Sequence, residues 1–268
     1  MIISCFSMSK ATEQVPDYLI YNGDTLKIFS NPLQDRESVL LLDTTFHNKI
    51  CMSSDCWRGY RATWVLENQK LYLVKIEDCC NSSIIADLEV IFKEDHNQGK
   101  VFANWYSGDI IIPKGKLLYG EHMGYSNVYE FENIIEIMNG VQTKNRTVDN
   151  RRTDLKYMNR NTLSNYIMDK LGSNILEEIR NGDKRLDFYV DIKSDTSRQV
   201  VSVEFRDINE IHYQDRIRNI LFEIDDWNVL YRRGVIADLP WIYPVRIGKM
   251  EVRRRDKHNK RRPKRNRQ

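Results

Sequence analysis

Asp55-Cys56-Trp57-Arg58-Gly59-Tyr60, continuing through Ala62-Thr63-Trp64 to Lys70-Leu71-Tyr72-Leu73-Val74-Lys75-Ile76, decides the fold class of this chain. Apolar and polar residues alternate on both sides of a polar break at Glu67-Asn68-Gln69, the pattern of an antiparallel hairpin with one face in water. Upstream, Tyr18-Leu19-Ile20-Tyr21 and Leu26-Lys27-Ile28-Phe29 flank Asn22-Gly23-Asp24, a second hairpin signal closed by Asn31-Pro32-Leu33. Residues 36–44 fit either a helix or an extended segment. Downstream, residues 84–92 predict a short helix, and residues 103–112, 116–119 and 129–137 predict further strands broken by Gly and Pro. A mainly antiparallel β domain over residues 16–141 is the expectation.

Beyond it the pattern changes. Residues 142–160 are polar and almost free of aliphatics, and they read as a linker. Leu163, Tyr166, Ile167, Leu171, Ile175, Leu176 and Ile179 then recur at helical spacing up to Asn181-Gly182. Residues 186–192 and 199–205 form a hairpin, residues 208–224 an amphipathic helix, and residues 227–231 and 241–247 extended segments around Arg233-Gly234. The order is αββα plus strand, so a small α+β domain is expected over 161–248, with helices on one face of an antiparallel sheet.

The formal charge of +3 hides an asymmetry. Residues 249–268 hold eleven Lys or Arg against two acids, a net of +9, which leaves the rest at −6. Arg253, Arg254, Arg255, Lys260, Arg261, Arg262, Lys264 and Arg265 lie in what reads as a disordered basic tail, suited to a phosphate backbone or an anionic surface but without an aromatic residue for base stacking. No run reaches the roughly 18 apolar residues of a membrane-spanning helix. Residues 1–15 read as a disordered segment or the remnant of a leader.

Five cysteines, Cys5, Cys51, Cys56, Cys79 and Cys80, fall in the first third of the chain. In an exported protein Cys56 pairs with Cys79 or Cys80 across neighbouring strands; in the cytosol all remain thiols. No metal site is expected, because there is no Cys-x-x-Cys and the five histidines are scattered.

Two resemblances follow from these residues. The C-terminal order, with Val190-Asp191-Ile192, Trp227, Arg233-Gly234 and Pro244-Val245-Arg246-Ile247, resembles the C-terminal domain of TonB-type energy transducers over about residues 165–248. It implies a scaffold with strand addition at a sheet edge, not energy transduction. Pro16-Asp17, Tyr21-Asn22-Gly23-Asp24-Thr25-Leu26, Cys56-Trp57-Arg58-Gly59-Tyr60, Cys79-Cys80, Gly115-Lys116-Leu117-Leu118-Tyr119 and His122-Met123-Gly124-Tyr125 are similar to a family of uncharacterised exported proteins of Bacteroidota. That resemblance implies a periplasmic or envelope location, with the true start upstream, and no activity.

No catalytic constellation is assembled. Glu121 and His122 are adjacent, and adjacent strand residues point to opposite faces. The serines lack a nucleophile elbow, and the glycines are spaced as turns. Trp57, Arg58, Tyr60, Trp105, His122 and Tyr125 are the candidate binding residues of an aromatic cleft. The expectation is a non-enzymatic, cofactor-free, envelope-associated binding protein whose partner is a protein or envelope component. The alternative is a cytosolic nucleic-acid-associated protein that acts through its tail.

Overall fold

A computed structural model describes residues 13–120, 124–181, 186–207, 213–237 and 242–247. Two compact units divide the chain: Met1–Asp154 with Val229–Asp238, and Leu155–Asn228 with Leu239–Gln268. The protein is mixed α+β with mainly antiparallel sheets.

The first unit begins with strands β1 (Asp17–Tyr21) and β2 (Asp24–Ile28), joined by Asn22 and Gly23 at φ 53° and 88°. Two consecutive positive φ values make the turn whose twist matches a right-handed hairpin. A 3-10 helix at Gln34–Leu42 and helix α1 (Thr44–His47) follow. Strands β3 (Tyr60–Glu67) and β4 (Lys70–Asp78) form the expected central hairpin, turned by Asn68 and Gln69 at φ 49° and 62°. Helix α2 occupies only Leu88–Phe92, shorter than expected, because Glu77 bridges Ile85 and keeps that residue extended.

Short strands β5 (His96–Asn97) and β6 (Lys100–Phe102) precede β7 (Gly108–Tyr119), β8 (Val128–Met138) and β9 (Val141–Asp149). β7 corrects an expected break between two strands. Irregular register between Lys114 and Leu117 absorbs Gly115, and β7 ends the strand path, so Pro113 lacks no needed donor there. β9 corrects the linker expected over 142–160. Its side chains are polar and mostly exposed, yet its backbone pairs with β8 from Met138↔Val141 to Phe131↔Asp149. Gly140 makes that hairpin obligatory for glycine: φ is +77°, and a Cβ would meet the Ala103 carbonyl oxygen at 2.6 Å.

The strand path runs β2-β1-β3-β4-β9-β8-β7, with β1 and β3 parallel. Its two ends meet where Phe29 N donates to Ile111 O at 2.8 Å and Ser30 bridges Asp109 O and Ile111 N. The sheet thus curls into a barrel-like shell around Leu19, Ile28, Tyr60, Trp64, Leu71, Leu73, Ile110, Ile112 and Ile135.

A second correction concerns Arg233-Gly234, expected in the C-terminal domain. Strands β10 (Leu186–Ser194), β11 (Val200–Arg206) and helix α5 (Gln214–Phe222) do belong to the second unit, but the hairpin β12 (Tyr231–Arg232) and β13 (Val235–Ile236) belongs to the first. Buried Asn150 and Glu132 explain it: Gly234 N donates to Asn150 Oδ1 at 2.9 Å and Arg233 N to Glu132 Oε2 at 2.8 Å. Tyr231 N adds a bond to Thr153 Oγ1, and Asp154 pairs with Val229.

In the second unit the expected single helix is two, α3 (Arg160–Leu171) and α4 (Ser173–Asn181), separated by Gly172 at φ 84°. Strand β14 (Ile242–Ile247) completes an antiparallel sheet in the order β11-β10-β14. Leu186, Phe188, Val190 and Ile192 of β10 face Leu163, Ile167 and Leu171 of α3 and Ile217, Ile220 and Leu221 of α5 in one apolar core. Trp227 stacks on Tyr157 at 5.1 Å and meets Tyr243 edge-on at 5.0 Å, and Asn228 links Tyr157 N to the Tyr243 hydroxyl. Of the helix expected over 208–224, residues 208–212 lie outside the described residues.

Candidate functional site

The loop over residues 50–59 is held at several points along its length. Ser53 and Cys56 exchange backbone hydrogen bonds at 3.2 and 3.1 Å, closing a tight turn. Cys51 stands at disulfide distance from Cys80 and Cys56 from Cys79, with Cα separations of 5.9 and 6.4 Å. The reading that gave Cys56 to Cys79 or Cys80 resolves to Cys79, and Cys51, which had no assigned partner, takes Cys80. Neighbouring residues at a strand end point opposite ways, so each member of the vicinal pair reaches a different part of the loop. Asp78, almost fully buried, holds the junction: it accepts from Cys51 N, from Cys80 N at 2.9 Å and from Asn81 N at 2.7 Å. Gly59, at φ +74°, lets the chain pass against Ile50 and Met52. The clamped loop displays Met52 and Trp57, 72% and 69% exposed.

Arg58, next to Trp57, turns the other way. Its guanidinium pairs with Asp17 at 3.2 Å, donates to Val15 O at 3.0 Å and to the Tyr125 hydroxyl at 3.3 Å, and lies 5.0 Å from the Tyr60 ring centroid. Asp17 also accepts from Ala62 N at 3.0 Å and Trp64 Nε1 at 3.1 Å. Burial pushes the Asp17 carboxyl above its usual value, opposed by Arg58 and these N–H donors. Burial pushes the Tyr125 hydroxyl up to about 12, so it stays protonated and donates to Asn31 Oδ1 at 2.8 Å. Tyr60 is raised by burial as well and donates to Glu37 at 2.8 Å. Three of the candidate binding residues, Arg58, Tyr60 and Tyr125, therefore come together around the Arg58 guanidinium: Arg58 pairs with Asp17, Arg58 and Tyr125 both reach Val15 O, and Tyr60 donates to Glu37.

Trp105 sits elsewhere. Its Nε1 donates to Pro32 O at 2.9 Å, its ring stacks on Phe92 at 5.7 Å, and Arg36 covers it at 5.2 Å. His122, Cys5 and the tail arginines and lysines lie outside the described residues. Asp17 is the buried partner of Arg58 that the sequence reading missed. Its signal was present: it precedes Leu19 by two on the inward face of β1, and an acid on an inward face demands a cation.

Among the described residues, no group of three or more His, Cys, Asp or Glu is placed to hold a metal ion, and no helix is long and apolar enough to cross a membrane. No protein-family model, curated protein or solved structure matches this chain.

Proposed function

We propose that this chain is an extracytoplasmic, envelope-associated interaction protein without catalytic activity, which presents Trp57 and Met52 on a cross-linked loop to a protein or envelope component. The observation that carries this reading is the placement of four cysteines in two pairs at disulfide distance, because structural disulfides form and persist chiefly in oxidising compartments and are rare in a reducing cytosol. An exposed Trp on a loop that cannot rearrange suits binding, since aromatic anchors dominate interface energetics and a rigid loop loses little entropy on docking. The second unit is proposed as a TonB-C-like scaffold; its helix, strand and helix order and the antiparallel β11-β10-β14 sheet support that reading.

The test is to alkylate thiols in intact native cells and identify the labelled cysteines by mass spectrometry. Cys51, Cys56, Cys79 and Cys80 should escape labelling unless a reductant is added first. Labelling of all four without reductant would overturn the proposal and leave the cytosolic reading, in which the +9 tail contacts nucleic acid and retention falls steeply with salt.

A further inference from the structure

The barrel-like shell closes along a seam between β2 and β7 that is zipped at one end and open at the other. In the two-residue β1–β2 hairpin the cross-strand pairs alternate. Asp24, Leu26 and Ile28 exchange hydrogen bonds with β1, whereas Thr25, Lys27 and the following Phe29 turn their N–H and C=O groups to the opposite side. Phe29 shows the alternation, since its N–H is the donor to Ile111 O across the seam. The two strands run antiparallel there, because Ser30, one residue on from Phe29, bonds Asp109 O, two residues back from Ile111. The next seam pair would set Lys27 opposite Pro113. Proline has no N–H to give, and beyond it Gly115, at φ +81°, lies in the irregular register of β7. Pairing therefore stops after Phe29. Among the described residues, no other backbone group bonds the outward edge of Thr25 or Lys27.

A cleft of about 570 Å³ opens at this edge, within the roughly 300–1,000 Å³ usual for a binding site. Its wall is aromatic: the Phe29 and Tyr129 rings lie 5.9 Å apart, tilted at 59°. Its charge is negative, since Glu13 and Asp55 outnumber Lys27. Neither carboxylate belongs to an ion pair among the described residues. Both sit on anchored backbone: Gln14 N donates to Gly124 O at 3.2 Å and Val15 N to Asp55 O at 2.7 Å. Burial, and after it the Glu13 charge, raises the Tyr129 hydroxyl above its ordinary value, which puts that carboxylate beside the ring. A free strand edge recognises an extended backbone, and the pocket next to it chooses the side chain. Carboxylates beside an aromatic wall suit Lys or Arg, whose stem lies on the rings while its cation meets the acids. An acidic segment is repelled by the same lining.

We propose that the open part of the seam takes an extended basic segment of a partner protein, added as a strand on Thr25 and Lys27, with a Lys or Arg side chain laid over Phe29 and Tyr129 toward Glu13 and Asp55. The site uses neither Trp57 nor the cysteine pairs, so its failure leaves the preceding proposal standing.

The experiment is calorimetric titration of the full chain with the capped peptide acetyl-Thr-Val-Lys-Val-Thr-amide, beside a version with Glu in place of Lys and a fully N-methylated version. The Lys peptide should bind with a Kd below about 1 mM, and the other two about tenfold more weakly. Glu13→Gln should weaken it about fivefold and Tyr129→Ala about threefold, whereas Trp57→Ala should leave it unchanged. In saturating peptide the Thr25 and Lys27 amides should exchange about tenfold more slowly, while Leu26, already bonded to β1, stays as it was. No binding at about 5 mM, equal affinity for the Glu or N-methylated version, indifference to Glu13→Gln, or unaltered exchange at Thr25 and Lys27 would each overturn the proposal. A dimer of the full chain in sedimentation that Glu13→Gln disperses would give the edge to a second copy and overturn it as well.

Discussion

The two units of this chain reach order by different means. Among the described residues, ten buried polar or charged side chains lie in the first unit and two, Ser164 and Asn228, in the second. In the first unit these groups take named jobs: Asp17 answers Arg58, Asp78 ties the cysteine junction, and Asn150 with Glu132 grips the β12–β13 hairpin. Asp43 caps α1 through Phe46 N at 3.0 Å and also accepts from Asp87 N at 2.9 Å, and Asp87 in turn caps α2. The second unit relies on one apolar layer of three strands and its helices. A shell rich in loops, with long crossovers, has many backbone groups outside its ladders to satisfy, so buried side-chain acceptors recur; a helix-on-sheet layer satisfies its backbone internally and needs only shape.

That contrast can be broken in a definite order. Arg58→Ala should have the largest effect, a loss of about 3–5 kcal/mol confined to the first unit, because it leaves Asp17 buried and unpaired. Denaturant unfolding followed by hydrogen exchange of each unit checks it, and equal loss in both units would merge what is here kept apart. Ile217→Ala is the counterpart in the second unit. It removes a fully buried side chain between α5 and the sheet and should cost about 2–5 kcal/mol there, with the first unit unmoved.

Cys56→Ala should lower the stability of the first unit by about 2–4 kcal/mol, the usual range for a cross-link closing a loop of this order. A melting series with and without reductant reads it, and the variant should show a smaller reductant effect than the parent. Asp43 gives a gentler probe. The hydrogen bond from Asp87 N, with those from Phe46 N and Thr45 N, holds its carboxyl below the ordinary 3.8. Its contribution is thus present above that pH and is lost as the pH falls through the lower folded value. In Asp43→Ala this part of the acid destabilisation should vanish, so the parent and variant curves converge toward low pH. Trp57→Ala should change stability least, within about 0.5 kcal/mol, since the ring is mostly in water.

What could be read from the chain follows the same division. Hairpins announced by Asn22-Gly23, and by the alternation around Asn68-Gln69, formed where expected, because turn geometry and a half-buried face are both written locally. β9 was illegible: Val141–Asp149 has no apolar alternation, since neither face supplies a core and backbone pairing with β8 alone makes it a strand. The allegiance of the β12–β13 hairpin was equally hidden, as it rests on Asn150 and Glu132, roughly 80 to 100 residues away in sequence. In the candidate site, Cys56 with Cys79 was one of two pairings open to the reading, and Cys51 with Cys80 was not foreseen, because that choice depends on Asp78 and the turn at Ser53–Cys56. Arg58, Tyr60 and Tyr125 were singled out together, but only the structure shows that both tyrosines contact the Arg58 guanidinium and that Asp17 is its buried counter-charge.

The most direct measurement is hydrogen exchange by mass spectrometry on the full chain, oxidised and after reduction. Reduction should strip protection from residues 50–60 and 76–86 and leave β10, β11 and α5 as they were. Unchanged protection around the cysteines, or equal loss in the second unit, would contradict the division between a cross-linked, polar-wired first unit and a second unit held by its apolar core.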